Sequence, residues 1–375
     1  MYFVPKAVII RAKLARIMLY FGMNMQQLPI RQKTILEACL VLNKPASYGD
    51  IAEVLSDEYA ERTIKRDLSE LVEFGYLSVR GGGRSTEYQL TLPGRLFLPV
   101  DADQYTAIEP DIRVGVAEGY QFSIWEQWPQ SVFFAAELAM LDRVTATYRQ
   151  RSVNQSPELR HRELERFIIE MSWKSSKIEG NTYTLLDTEL LLKEGIPSKA
   201  NTKEETQMIL NHKQAFGFLL ENESAFKTDL SFSLIETLHQ QLMSDLLRDM
   251  GIRTGVVGIT GSRYQPLDNQ HQLREAIELL VETIGKIEDP FSKALTALLG
   301  ISYIQPFTDG NKRTARLLAN GILLAHECAP LSYRDVDERT YRASLLVFYE
   351  RLSLVPMKQL FFDQYHFSSE HYSSV

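Results

Sequence analysis

Cysteine is almost missing from this chain: Cys39 and Cys328 are the only two in 375 residues, far apart and without the spacing of metal ligands. That excludes a disulfide framework and a zinc site, and it suits a reducing compartment, so a cytoplasmic protein is expected. A long uninterrupted apolar run is missing too. The strongest candidate is the N-terminal stretch with Val8, Ile9, Ile10, Ile17, Met18, Leu19 and Phe21, but Lys6, Arg11, Lys13 and Arg16 interrupt it. Neither a secretory core nor a membrane span fits that pattern, and no membrane partner is expected. Residues 1–29 are instead expected to form an amphipathic helix on the body, or to reflect a mis-set start with Met23 or Met25 as the true beginning. Internal repeats and low-complexity tracts are absent. Basic charge is not in excess either: 41 Lys and Arg face 48 Asp and Glu, a net −7. A general nucleic-acid coat is excluded, whereas a local basic patch is not.

What the chain does have is apolar material, 45% of its residues, enough for two or three cores. Residues 30–95 read as a small α+β domain. Ile35, Leu36, Cys39 and Leu40 predict a helix over 32–42. Ser47 suits the N-cap of a second helix carrying Ile51, Val54 and Leu55, and a third from about Ala60 carries Ile64, Leu68, Leu71 and Val72 and ends at Gly75. Alternating segments at 76–79 and 88–91 flank a glycine-rich tip, Gly81-Gly82-Gly83-Arg84-Ser85, and predict a hairpin. Three helices and a hairpin make a winged helix-turn-helix. Within it, Glu61-Arg62-Thr63-Ile64-Lys65-Arg66-Asp67-Leu68 resembles the recognition helix of bacterial winged-helix repressors. The resemblance implies that Arg62, Thr63, Lys65 and Arg66 face phosphates or base edges in a major groove, with Arg80 and Arg84 of the wing on neighbouring backbone. Charge pulls the other way. Residues 30–92 carry eight Lys and Arg against ten Asp and Glu, a net −2, so DNA and a protein partner both stay open.

Residues 96–130 lose the helical pattern and gather Tyr120, Phe122, Trp125 and Trp128, which predicts a connector packed against a neighbour rather than a loose linker. From residue 131 to 375 helix follows helix. The fold class expected is mainly α, an all-helical body behind the small α+β domain.

The most informative stretch is Gln305-Pro306-Phe307-Thr308-Asp309-Gly310-Asn311-Lys312-Arg313-Thr314-Ala315-Arg316. It places an acid, a Gly-Asn turn and three cations at the start of a helix continued by Leu317, Leu318, Ile322, Leu323 and Leu324. Asn311 then sits at the positive helix end, where free backbone N–H groups hold anions. Arg313 and Arg316, three apart, reach one polyphosphate from one face, and Asp309 can hold a Mg²⁺ bridging phosphate oxygens.

The run resembles the motif of the Fic family, His-Pro-Phe-x-Asp-Gly-Asn-Gly/Lys-Arg-x-x-Arg, whose members move AMP or a related phosphate-containing group onto a protein hydroxyl. Gln305 is the departure. It stands where the family carries the histidine that takes the hydroxyl proton, and an amide has no basicity for that step. Loss of a positioned base typically costs about 100- to 10,000-fold in rate. The resemblance implies ATP as substrate with Mg²⁺, nucleotide contacts from Gly310, Asn311, Lys312, Arg313 and Arg316, and Tyr341 near the adenine. It also implies a target protein with a Ser, Thr or Tyr hydroxyl, which includes the chain itself, and a homodimer.

Two further segments match the same family. A helix over 160–180 ends in Ser175-Ser176-Lys177-Ile178-Glu179-Gly180, and self-inhibited Fic proteins carry Ser/Thr-x-x-x-Glu-Gly/Asn whose glutamate reaches the second motif arginine. That pairs Glu179 with Arg316 in a bidentate contact and withholds the arginine from ATP. Residues 253–266 resemble the Fic flap, a β-hairpin in which Val257, Gly258, Ile259, Thr260 and Gly261 would present a target segment by strand addition. The leading expectation is a self-inhibited protein adenylyltransferase weakened at Gln305. The rivals are a Doc-like protein phosphotransferase, suggested by Lys312, and a nucleotide-sensing transcriptional regulator with a degenerate Fic domain.

Overall fold

The computed structural model describes residues 28–372 apart from 57 and 154. The helix or mis-set start expected for residues 1–29 lies outside these, except for residues 28 and 29. Near the N-terminus, helix α1 (Ile30–Leu42) leads into strand β1 (Ala46–Ser47) and helices α2 (Tyr48–Val54) and α3 (Glu61–Glu73). Ser47 caps α2 in a reciprocal box: its hydroxyl accepts from the Asp50 amide while the Asp50 carboxylate accepts from the Ser47 amide. Strands β2 (Leu77–Arg80) and β3 (Glu87–Leu90) form the hairpin, and β1 adds to its other side in the order β1-β3-β2, all antiparallel. Ile35, Leu36, Ile51, Ile64, Leu68 and Leu71 close the core beneath them.

Short helices α4 (Leu92–Leu96) and α5 (Ala102–Ala107) open the connector, which is bound tightly to the body. The Leu354 amide donates to the Leu96 carbonyl at 2.9 Å, Ser353 Oγ to the Leu98 carbonyl at 2.6 Å, and the Ala117 amide to the Glu350 carbonyl at 2.6 Å. Trp128 Nε1 reaches Thr296 Oγ1 at 3.0 Å, and Tyr120 stacks on Tyr303.

The body is helical: α6 (Ala135–Val153), α7 (Pro157–Ile178), α8 (Leu185–Glu194), α9 (Lys203–Glu221), α10 (Glu223–Thr228), α11 (Phe232–Met243), α12 (Gln270–Lys286), α13 (Pro290–Ile304), α14 (Asn311–Ala325), α15 (Glu338–Arg351) and α16 (Val355–His371). Helix α13 is buried from Ala294 to Ile304 on every side, as expected of a central helix that is apolar all round. It delivers the chain directly into residues 305–310. No helix among the described residues is long and apolar enough to cross a membrane.

The hairpin strands expected between residues 253 and 266 are not formed. That segment runs as a loop with a turn at Thr260–Gly261, and its one sheet-like contact is an isolated bridge from Gln265 to Gly119. The reason is Arg253. Its buried guanidinium donates to the carbonyls of Gly255 at 2.6 Å and of Leu267, so carbonyls on both arms of the loop turn inward to a cation rather than across to each other.

Candidate functional site

The loop between α13 and α14 is held by its own side chains. Gln305 ends α13 in the left-handed region at φ 52°, and its carbonyl accepts from Arg253 Nε at 2.8 Å. Its side-chain amide turns back to donate to the Ser302 carbonyl at 2.6 Å. Asn311 closes the turn from both sides, accepting from the Phe307 amide at 2.9 Å and donating to the Phe307 carbonyl at 2.7 Å. Its side chain is thus a clasp on the loop, and its backbone opens α14. Gly310 precedes it at φ +79°, where a Cβ would lie 2.6 Å from Met243 Sδ. Glycine is required there both by the backbone and by the space.

The amides of Asn311, Lys312 and Arg313 have no acceptor within their own helix and carry the positive end of its dipole. Beside them Arg313 is almost wholly buried. One of its amino groups donates to Asp309 Oδ2 at 2.9 Å, while Nη1 is enclosed without a protein partner. Asp309 is exposed and uses its other oxygen to accept from the Gly310 amide at 2.6 Å. No cluster of three or more His, Cys, Asp or Glu suited to a metal ion occurs among the described residues. A lone exposed carboxylate is still a fitting donor set for Mg²⁺, which is commonly held by one or two carboxylates together with substrate phosphates.

Arg316 is completely buried and fully engaged. Its Nε donates to Ser175 Oγ, Nη2 to the Ser175 carbonyl and Nη1 to Glu179 Oε1, each at 2.9 Å, with the Tyr341 ring beneath the guanidinium. The bidentate Glu179–Arg316 pair expected from the sequence is corrected here: Glu179 divides its oxygens, and Oε2 accepts from Lys312 Nζ at 3.2 Å. Serine takes the two remaining directions of the guanidinium fork, which leaves one for the carboxylate. Burial raises the Glu179 carboxyl, but Arg316 and Lys312 outweigh it and bring it down to about 2. Glu179 sits as the C-cap of α7, followed by Gly180, so the end of that helix sets its position.

Behind Ser175 lies a histidine that the sequence did not single out. His212, buried on α9, accepts from or donates to Ser175 Oγ through Nε2 at 2.9 Å, and its Nδ1 lies 2.8 Å from the Met208 carbonyl. A carbonyl only accepts, so Nδ1 carries the proton and Nε2 accepts from the serine hydroxyl. Burial, with Arg313 and Arg316 nearby, lowers the His212 pKa to about 3 and keeps the ring neutral. His239 is the second omission: it stacks on Phe307 at 3.8 Å and its Nε2 lies 3.0 Å from the Asp309 carbonyl. Neither had a sequence signal beyond its place on an apolar helical face.

A groove of about 680 Å³ opens past the end of α7, lined by Gly180, Asn181, Thr182, Arg339, Arg342 and Leu346 among others. Tyr341, expected near the adenine, does not line it. Arg339, Arg342 and Leu346 share the groove face of α15, and Tyr341 points the other way, fully buried under Arg316. The flap residues Val257, Gly258, Ile259, Thr260 and Gly261 form a separate surface loop, with neighbouring Val256 80% exposed. In the N-terminal module Arg62, Lys65, Arg66, Arg80 and Arg84 are exposed and Thr63 is half-buried. Lys65 is paired with Glu61 at 2.5 Å, and Arg66 lies 3.5 Å from Asp67 and 3.6 Å from Glu70.

Residues 229–323 match the model of the Fic/DOC family. Among curated proteins, the chain is 29% identical over 176 residues to protein adenylyltransferase fic-1 of Caenorhabditis elegans, covering 45% of this chain and 34% of that protein. It is 29% identical over 188 residues to protein adenylyltransferase Fic of Nematostella vectensis, covering 45% and 40%. The chain therefore spans well under half the length of these relatives. Among solved structures, a Fic family protein from Desulfovibrio desulfuricans superposes with a TM-score of 0.54 at 19% identity, over 67% of this chain and 76% of that one. A Fic domain containing signaling protein from Bacteroides thetaiotaomicron superposes with a TM-score of 0.52 at 20% identity, over 61% and 95%. At these identities the structures speak to the fold.

Proposed function

We propose, from the Fic/DOC-family segment at residues 229–323 and the helical Fic fold around it, that this protein binds Mg-ATP as a protein adenylyltransferase scaffold held off by Glu179. The observation that carries the reading is the occupation of Arg316 by Glu179 and Ser175 beside the open N-terminus of α14. The α14 amides, Arg313 and Lys312 offer donors for nucleotide phosphates. Asp309 would hold the magnesium, which supplies charge neutralisation at the phosphates. Arg313 would then exchange Asp309 for a phosphate oxygen. While Glu179 is docked, Arg316 cannot grip the terminal phosphate and the carboxylate repels it.

In AMP transfer a target hydroxyl attacks the α-phosphorus, pyrophosphate leaves, and the hydroxyl proton needs an acceptor. Gln305 cannot be that acceptor, and its amide is turned to the Ser302 carbonyl. The chain is accordingly proposed to bind ATP and transfer slowly or not at all. Incubation of the Glu179→Gly, Gln305→His double variant with ATP should add AMP mass to the protein, whereas Glu179→Gly alone should stay weak. Equal rates for the two would place the base elsewhere. A double variant that binds ATP without transfer, even with candidate targets supplied, would favour the second reading, a nucleotide sensor acting through a winged helix at residues 30–95. The inward Gln305 amide is what favours that reading. Doc-like phosphorylation is less well supported, because the Ser175–Glu179 latch and Gly310 both depart from that type.

A further inference from the structure

The three nitrogens of Arg316 are not held by equivalent partners. Ser175 takes one whole edge of the planar guanidinium, its hydroxyl accepting from Nε and its carbonyl from Nη2, while Glu179 meets only Nη1. Neither Ser175 contact depends on Glu179. The carbonyl is free to accept because the Glu179 amide, which would meet it in a continuing helix, turns instead to the Ser176 carbonyl at 3.0 Å. It is therefore one of the unpaired carbonyls at the end of α7, where the helix dipole is negative. The buried hydroxyl is fixed from behind. With the His212 Nδ1 proton given to the Met208 carbonyl at 2.8 Å, Nε2 can only accept, and at 2.9 Å it draws the Ser175 proton away from Arg316. The oxygen lone pairs are left facing Nε. Glu179, by contrast, lies where Arg316 Nη1 and Lys312 Nζ converge, at 2.9 and 3.2 Å, a place that another oxyanion would share with the same two donors.

We propose that Ser175 and His212 are positioning residues for the terminal phosphate of ATP: they hold the Arg316 plane with Nη1 directed at the place Glu179 fills, and they keep holding it when Glu179 leaves. In this division, which rests on the proposed function, Glu179 is the group to be displaced and Ser175 the seat that stays. A planar group fixed at two points along one edge keeps one orientation. A phosphate arriving at Nη1 then meets a donor already aimed and does not have to order a long side chain. Without the Ser175 hydroxyl, Nε would be a buried donor with no acceptor, and the guanidinium would turn to find one. His212 touches Arg316 only through that hydroxyl, so its effect passes through Ser175.

Calorimetric titration of ATP into Glu179→Gly chains, with AMP measured by competition, tests this, since AMP lacks the terminal phosphate. Adding Ser175→Ala should weaken ATP roughly three- to tenfold and leave AMP unchanged. His212→Leu should weaken ATP as well, but add nothing once Ser175 is alanine. Ser175→Thr, which keeps a hydroxyl, should retain most of the ATP affinity. Unchanged or tighter ATP binding in Ser175→Ala, the result of a serine that blocks, would overturn the proposal. So would an equal loss for ATP and AMP, the result of a general loosening of the fold. A His212→Leu effect of the same size with and without the Ser175 hydroxyl would overturn the part assigned to His212, and if His212→Leu does not fold, Ser175→Ala decides alone. Each of these outcomes leaves the proposed function standing, whereas a Glu179→Gly chain that binds no ATP overturns that function and this role together.

Discussion

Glu179 and its partners act through single atoms, and their consequences are read at single positions. One Glu179 oxygen is committed to Arg316 and the other to Lys312, so Glu179→Gly releases at once the two cations that the proposed function assigns to the phosphates. Charge-assisted contacts of this kind are worth roughly 1.5–3 kcal/mol, and ATP affinity by calorimetry is expected to rise about tenfold or more. Unchanged affinity would reduce Ser175 to Gly180 to an ordinary helix end. The same cluster sets the response to acid. Glu179 is depressed from its ordinary 4.5 to about 2, so its stabilisation is present above pH 4.5 and is lost as pH falls toward 2. His212 is held neutral down to about 3 while the unfolded chain takes up its proton near 6.5, so stability also declines as pH falls from 6.5 toward 3. Denaturant midpoints measured against pH should show a shallower slope between 6.5 and 4.5 for His212→Gln, with a remainder from His239. Glu179→Gln should leave that upper limb alone and remove part of the loss below 4.5.

At the scale of elements, Glu350 joins three that are distant in sequence. From α15 it accepts from Arg113 at 3.2 Å and Tyr105 at 2.5 Å in the connector, and from Ser262 Oγ at 2.7 Å and the Arg263 amide at 2.9 Å in the flap loop. Arg113 continues to the Gly261 carbonyl at 2.8 Å. Glu350→Gln keeps the shape, removes the charge that balances Arg113, and should speed hydrogen exchange across residues 257–266 and 105–117 together. Exchange faster in only one of the two segments would show that they are held independently. None of this network was legible in the sequence, because its partners are more than 80 positions apart and nothing local marks a buried acid. The turn at residues 305–310 and the start of α14 were legible because Asp309, Gly310, Asn311, Arg313 and Arg316 follow one another through one turn and one helix start. The seam between Ser175, Glu179 and Arg316 was legible as a pattern, but Lys312 and His212 enter it through tertiary register.

For the molecule as a whole, the helical class and the small N-terminal sheet could be read from periodicity and turn residues, since Ser47, Gly75 and the Gly81–Gly83 tip punctuate the chain where elements end. The flap strands could not, because alternation was present but Arg253 claims the carbonyls. The backbone contacts of the connector with the body, through Leu96, Leu98, Ser353 and Leu354, likewise have no local signature. The two ends of the chain differ in their sensitivity to ionic strength. The Glu179 carboxylate is only 16% exposed and touches its partners directly, whereas Lys65 and Glu61 on α3 are 55% and 64% exposed. Mobile ions screen exposed charges over about 8–10 Å at physiological strength and reach enclosed contacts poorly. The ratio of ATP affinities between Glu179→Gly and the parent chain should therefore hold nearly constant as potassium chloride is raised. Any association made by Arg62 and Arg84 with a polyanion should weaken steeply over the same range. A single salt titration would thus weaken any such contact of the N-terminal module while leaving the Glu179–Arg316 pair in place.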